Sequence, residues 1–428
     1  MASPDPARGF AEFHRLVVQD AALHAQLQNA LTPDAFVALT TAAGAARGFA
    51  FGAEDVRAAL QAARHGAGQE PTLDAAHLAG WTPINMRWQN AGLTVDWCRL
   101  GELRFTDPFF EDTIARALRD PARRLFRQQT PVATLEHLPA VRPGLPPTGF
   151  IFHLSRCGST LLAQMLAALE RNIVISEAPP LDEILRAHLR DPRITRAQRI
   201  AWFRGLVSAY AQPRGGGESQ VFIKFDSWHT LELPLIAEAF PDVPWIFLYR
   251  DPVEVLVSHH RLRGTQMIPG VIDPRFFGLE PAAAAAMPFD EYGARVLARI
   301  AEAALTHART GHARLVNFRQ LPAVLWESLG EFFRVDWSPA DLAHMRAAAQ
   351  FDAKNPTVTH QDDSAAKQLA ASGELRRLAE GWLAGIHRQL EQLRLAPPAQ
   401  PAAAPAARAA SARSSARSQS FTSQSITR

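Results

Sequence analysis

The chain has 428 residues, 47% of them hydrophobic, and a formal net charge of +3. That length holds a large core and two or three domains, and no run of eighteen apolar residues marks a transmembrane helix. Four arginines after Ala396, with no acid among them, leave the rest of the chain at −1, which excludes a global nucleic-acid footprint.

The first twenty residues lack the apolar core and cleavage-like site of a signal peptide, and Cys98 and Cys157 alone make no disulfide framework. A reducing cytoplasm is the expected location. Residues 1–66 read as a small all-α module. Phe10, Phe13, Leu16, Val17, Leu23 and Leu27 follow helical spacing with one slip. Thr32-Pro33-Asp34 starts a second helix that Gly44 and Gly48 end, and Ala53–Arg64 reads as a third. Helix, helix, Gly48-Phe49-Ala50-Phe51, then an acidic-start helix resembles the Nif-type leader-like domain of ribosomally made peptides. The resemblance implies a docking or recognition module; a generic three-helix packing unit fits as well.

Residues 67–147 concentrate aromatics, among them Trp81, Trp88, Trp97, Phe105, Phe109 and Phe110. A helix is expected from Asp107-Pro108-Phe109-Phe110 to Leu118. The segment is expected to pack on the following domain and wall one side of its cleft. Pro139–Pro147, with four prolines, reads as a stiff linker.

Residues 148–395 alternate strands and helices. Strand candidates are Phe150–Leu154, Ile173–Ser176, Val221–Phe225, Trp245–Tyr249 and Ala313–Phe318. Helical stretches are Leu181–Leu189, Arg196–Ala211, Leu231–Phe240, Glu291–Arg309 and Leu321–Phe333. This order implies a parallel sheet with both faces covered and ligands at its carboxyl ends.

Two strand–loop–helix units stand out. In the first, Ser155-Arg156-Cys157-Gly158-Ser159-Thr160 separates an apolar strand from a helix starting near Leu161. Free N–H groups at a helix start, two hydroxyls and a forked cation make an anion cradle. It is not a Walker A loop, which would need Gly and Lys where the chain has His153 and Ser159. In the second, Arg250 ends a strand, Asp251-Pro252 starts a helix, and Ser258 lies eight residues beyond Arg250.

Together the two units resemble the sulfotransferase superfamily, whose first loop reads P-[KR]-[SC]-G-[ST]-[ST] and whose second reads R-[DN]-P-x-[DE]-V-x-x-S. The chain departs at Ser155, where the family often has Pro, and carries Arg156 where cytosolic members have Lys. The resemblance implies an α/β fold, a P-loop-like three-layer sandwich around a central parallel sheet, and PAPS (3′-phosphoadenosine 5′-phosphosulfate) as donor. Arg156, Cys157, Gly158, Ser159 and Thr160 would hold the 5′-phosphosulfate. Arg250 and Ser258 would hold the 3′-phosphate, with Lys367 in a C-terminal segment that closes over the nucleotide.

Sulfuryl transfer needs a base for the acceptor, in-line alignment and charge stabilisation on the leaving phosphate. Arg156 is suited to the last. Glu177, just after the strand Ile173–Ser176, and His229, after Val221–Phe225, compete as the base; motif spacing in the resembled family favours Glu177. Lys224 ends its strand where it can meet bridging or sulfate oxygens. His153 reads as a satisfied core histidine. No His, Cys, Asp or Glu spacing suggests a metal. The acceptor, a small molecule or peptide carrying a hydroxyl or amine, is not legible, nor is the oligomeric state. A nucleotide-dependent phosphotransferase and a non-catalytic nucleotide- or peptide-binding protein are the alternatives. Residues 396–428 are Ala, Pro, Ser and Arg-rich and are expected to be disordered.

Overall fold

Four helices open the chain: Pro6–Gln19, Ala21–Gln28, Pro33–Ala45 and Ala53–Arg64. The structure, a computed structural model, describes residues 6–30, 32–64, 77–90, 92–309, 312–355, 357–359 and 361–396. Asp20 accounts for the extra helix. Its carboxylate accepts the N–H groups of Ala22 and Leu23, each at 2.9 Å, and starts a new helix where the spacing shows only a slip. Phe13, Val17, Leu27 and Phe36 are buried. The helices stand on residues 81–131, with Arg99 and Arg127 donating to the carbonyls of Val18 and Ala63.

The aromatic segment contains strands that the sequence reading missed. β1 (Trp81–Gln89), β2 (Gly92–Arg99) and β3 (Gln128–Pro131) form an antiparallel sheet in that order, with Gln89 opposite Gly92 at the first turn. The helix expected after Phe109 runs from Phe110 to Ala117. The expected linker begins later than Pro139, because helix Thr134–Val141 runs through that proline. Leu135 and Leu138 are buried there, and Gly205 lets helix Arg196–Tyr210 lie close: a Cβ at Gly205 would stand 1.9 Å from the Leu135 carbonyl oxygen.

The remaining strands are β4 (Gly149–His153), β5 (Asn172–Ser176), β6 (Gln220–Lys224), β7 (Trp245–Tyr249) and β8 (Ala313–Asn317). They form one sheet in the order β5-β6-β4-β7-β8, parallel at every pairing. Successive side chains serve opposite faces. Phe150, Phe152, Trp245, Phe247 and Tyr249 join one buried cluster, while Ile151, Ile246 and Leu248 join another with Leu162, Leu166 and Phe333. Both faces are thus covered, and the α/β three-layer arrangement expected from the sequence is present.

β4 is central. The chain leaves it toward β5 on one side and leaves β7 toward β8 on the other. The carboxyl ends of β4 and β7 therefore flank the switch point, where open α/β sheets bind ligands. Helix Leu321–Phe333 is interrupted: a turn precedes a π-helical stretch, Leu325–Leu329, and a short helix, Gly330–Phe333. Helices Pro339–Ala348, Ser364–Ala370, Gly373–Leu378 and Gly385–Leu395 follow without a sequence assignment. The tail expected to be disordered lies, from residue 397, outside the described residues.

Candidate functional site

A cleft of about 520 Å³ opens at the carboxyl ends of β4 and β7. Arg156, Cys157, Gly158, Ser159, Thr160, Glu177, Arg250, Ser258 and Lys367 all line it. It thus joins the two anion loops to the residue after β5.

The first loop is held in unusual backbone geometry. Ser155 and Arg156 have φ of +74° and +52°, and Glu177 has +54°; these are three of the four non-glycine residues with positive φ among the described residues. Strain of this kind clusters at functional sites. Gly158 caps helix Ser159–Ala167 at φ +87° and offers no side chain to the first-turn N–H groups. A Cβ there would stand 2.7 Å from Leu321 Cδ1 and 3.0 Å from Phe318 Cδ2, so both the backbone angle and the packing favour glycine. Arg104 donates to the Ala167 and Leu169 carbonyls at 3.0 and 2.8 Å and fixes the other end of this helix. The Arg156 guanidinium donates to the Leu262 carbonyl at 2.8 Å and has no carboxylate partner among the described residues. Burial pushes the Cys157 thiol up to about 12, and its S–H lies 3.1 Å from the Leu248 carbonyl. Cys157 can therefore offer a ligand its backbone N–H and no thiolate.

Glu177 is the centre of a small network. His153 Nε2 lies 3.1 Å from its Oε1, and Lys224 Nζ donates to the same oxygen. His153 Nδ1 accepts the Ser155 N–H at 3.0 Å, so the ring proton sits on Nε2 and is donated to Glu177. Burial pushes His153 below its ordinary value, which keeps the ring neutral. Burial alone would raise the Glu177 carboxyl; the Lys224 charge and the His153 hydrogen bond outweigh it and hold Glu177 well below the usual carboxylate range. Oε2 receives no hydrogen bond among the described residues.

Lys224 and His229 stand differently from the sequence expectation. Lys224 is fully buried and does not line the cleft; it acts on the site through Glu177. His229 is also fully buried and outside the cleft lining. The 3₁₀ turn Ser227–Glu232 turns its ring inward, with Nε2 2.9 Å from Asp182 Oδ1, an oxygen that also takes the Trp228 indole N–H at 2.7 Å. Trp228, not His229, faces the cleft.

At the second loop Arg250 is 4% exposed, and its Nε and Nη2 are both engaged. Its Nε donates to Glu254 at 2.5 Å, and its Nη2 to Asp363 at 2.6 Å and to the Ser364 hydroxyl at 3.0 Å. The Phe318 ring lies 3.8 Å beneath the guanidinium. Lys367 Nζ reaches the other Asp363 oxygen at 2.7 Å. Ser258 donates to the Glu254 carbonyl at 2.8 Å, so its hydroxyl can donate to a phosphate only once that bond is given up.

Residues 147–267 match the Sulfotransferase family. That stretch contains both loops, His153, Glu177 and Lys224. No curated protein matches the chain. Among solved structures the chain is similar to the sulfotransferase domain from the curacin biosynthetic pathway, at 16% identity over 56% of this chain and 98% of that one, TM-score 0.34. A sulfotransferase from Alicyclobacillus acidocaldarius gives 15%, 58%, 95% and 0.33. One from Mycobacterium avium gives 12%, 77%, 95% and 0.36.

Several cleft residues escaped the sequence reading. Phe109 reaches the cleft from the aromatic segment, and its ring centre lies 5.3 Å from both Lys224 Nζ and Lys354 Nζ. Lys354 and Arg261 line the cleft with no ion pair among the described residues. Asp226 also lines it. Burial, then the Glu177 and Asp182 charges, push its carboxyl well above the ordinary value. His153, read as a core histidine, is buried yet belongs to the cleft. Its place at the end of the strand that enters the first anion loop was the available signal; Phe109 belongs to the segment expected to wall the cleft, and Lys354 had no signal. Among the described residues no cluster of His, Cys, Asp or Glu is placed to hold a metal, and no helix is long and apolar enough to cross a membrane.

Proposed function

We propose that this chain is a sulfotransferase that moves a sulfuryl group from PAPS to a hydroxyl or amine. The observation that carries the proposal is the convergence of both anion loops and Glu177 on one cleft at the sheet's switch point. The first-turn N–H groups of helix Ser159–Ala167, the Ser159 and Thr160 hydroxyls and Arg156 bind the 5′-phosphosulfate. Arg250, Ser258 and Lys367 take the 3′-phosphate.

Glu177 Oε2 accepts the acceptor's proton. The acceptor oxygen or nitrogen bonds to sulfur as the bond from sulfur to the bridging oxygen breaks. The electron pair stays on the 5′-phosphate of adenosine 3′,5′-bisphosphate, and the product is a sulfate ester or sulfamate. A carboxylate held this acidic takes the proton late, once bonding to sulfur has acidified the acceptor. Arg156 and the helix N-terminus carry the charge that develops on the leaving phosphate. Phe109 and Trp228 wall the acceptor side. The reducing cytoplasm remains our reading of the location.

The test is transfer of label from [³⁵S]PAPS to a panel of alcohols, phenols and amines. Label is expected in an organic product, reduced about 10²- to 10⁴-fold in Glu177→Gln with bisphosphate binding retained. Full transfer by that variant would remove Glu177 from the mechanism.

A further inference from the structure

The 3′-phosphate cations are already neutralised by the protein's own acids. Arg250 is paired with Glu254 and Asp363, and Lys367 with Asp363. The Asp363 carboxylate spans the two cations as a phosphate would, one oxygen on each at 2.6 and 2.7 Å. We propose that Asp363 is an internal counter-ion that holds the nucleotide phosphate site closed until a dianionic phosphate displaces it. The proposal rests on the donor assignment above and adds a regulation of the same site.

Charge makes displacement necessary. Around Arg250 and Lys367 two cations face two carboxylates, so this group of four is balanced before a ligand arrives. A phosphate entering beside both carboxylates would leave two uncompensated negative charges around a guanidinium only 4% exposed. Asp363 is the acid that can leave. Its side chain is 49% exposed, whereas that of Glu254 is 2% exposed.

The released carboxylate also has another partner. Asp363 is the N-cap residue of helix Ser364–Ala370, yet its side chain makes no capping hydrogen bond. An Asp at this position ordinarily accepts a first-turn N–H. Here the carboxylate is turned to Arg250 and Lys367 instead, and Asp362 takes the Ser364 N–H at 2.9 Å. Asp363 has φ −102° and ψ 10°, so taking those N–H groups requires its backbone to turn toward the extended range as the carboxylate leaves the cations. The helix keeps a second anchor meanwhile, because the Gln368 amide donates to Asp251 at 3.0 Å and Glu254 at 3.3 Å.

A hydroxyl at the 3′ position cannot compete with a carboxylate for two cations, whereas a phosphate dianion can. Asp363 therefore affects 3′-phosphorylated nucleotides and leaves adenosine 5′-monophosphate untouched.

The experiment is calorimetric titration of the full chain with adenosine 3′,5′-bisphosphate and, in parallel, adenosine 5′-monophosphate. Asp363→Asn, and Asp363→Ser as a second variant, are expected to bind the bisphosphate about tenfold tighter, the worth of two partly exposed ion pairs, with monophosphate affinity unchanged. Asp362→Asn removes the same charge one residue earlier and is expected to stay within about twofold of wild type. Unchanged or weaker bisphosphate binding in both Asp363 variants overturns the proposal; weaker binding would mean that Asp363 organises the cations for the ligand. The wild-type titration tests the donor assignment separately. Wild-type binding without an Asp363 effect defeats only the counter-ion, whereas no binding by any form defeats both.

Discussion

Removing the Arg250 side chain should cost the fold as well as the ligand. Glu254, 2% exposed, has its one salt-bridge partner among the described residues in Arg250 at 2.5 Å, so Arg250→Ala strands a buried carboxylate. Breaking a buried pair from one side costs about 3–5 kcal/mol. The link to half-exposed Asp363 adds little, and the Phe318 contact about 1 kcal/mol. With an unfolding entropy of roughly 2 cal/mol/K per residue over about 370 described residues, a total loss of about 4–6 kcal/mol lowers the thermal midpoint by about 5–8 °C. Arg250→Met with Glu254→Gln removes both charges, and the new amide can still meet Gln368, which now donates to Glu254 at 3.3 Å. That double variant should recover most of the midpoint while binding no bisphosphate. Scanning calorimetry at pH 7 on wild type, Arg250→Met, Glu254→Gln and the double reads the coupling directly, with Arg250→Ala beside them. A midpoint for Arg250→Ala within about 1 °C of wild type, or a double variant as unstable as Arg250→Ala, would refute the buried-pair account.

Further expectations concern the loop, the second base candidate and pH. Gly158→Ala forces φ +87° on a residue with a Cβ and sets it 2.7 Å from Leu321 Cδ1; thermal scans should show a loss of about 2 kcal/mol or more, and titration weaker bisphosphate binding. His229→Ala, if folded by circular dichroism, should keep transfer within about tenfold of wild type, since His229 bonds Asp182 and lies outside the cleft lining; loss beyond 10²-fold would return it to the mechanism. Burial and the neighbouring Glu177 and Asp182 charges hold the Asp226 carboxyl above its unfolded value. Its contribution to stability is therefore present at low pH and lost as pH rises above about 4. Asp226→Asn should raise the thermal midpoint at pH 7, with the gain vanishing near pH 4. Glu177 has the opposite sign: its carboxyl is held low, so its contribution is present above about pH 4.5 and lost as pH falls, and Glu177→Gln should flatten the acid side of the stability curve.

The five-stranded sheet was legible because each strand is a short apolar run bounded by a turn, and burial on both faces demands such runs. The two anion loops were legible because their chemistry is local: a strand end, a few small or charged residues, and a helix start. The β1–β2 hairpin did not stand out, although Leu93-Thr94-Val95-Asp96-Trp97 alternates beside Gly92, because the segment's dominant signal is its aromatic content. Asp20 was passed over as a slip in one helix, and its cap divides two. His229 shows a different limit. Sequence places it after β6 but cannot tell which way the 3₁₀ turn sends its ring, and the structure sends it to Asp182. Lys354, Phe109 and Asp363 reach the cleft across long sequence distances, and only tertiary packing brings them there.

The central claim is that the two loops form one site for a nucleotide carrying a 3′-phosphate. Calorimetric titration of the wild-type chain with adenosine 3′,5′-bisphosphate, set beside ATP and adenosine 5′-monophosphate, tests it most directly. Micromolar binding of the bisphosphate that neither other nucleotide matches is the predicted result. A preference for ATP would reassign the cleft to phosphoryl transfer, and binding of none of the three would leave the loops as structural turns.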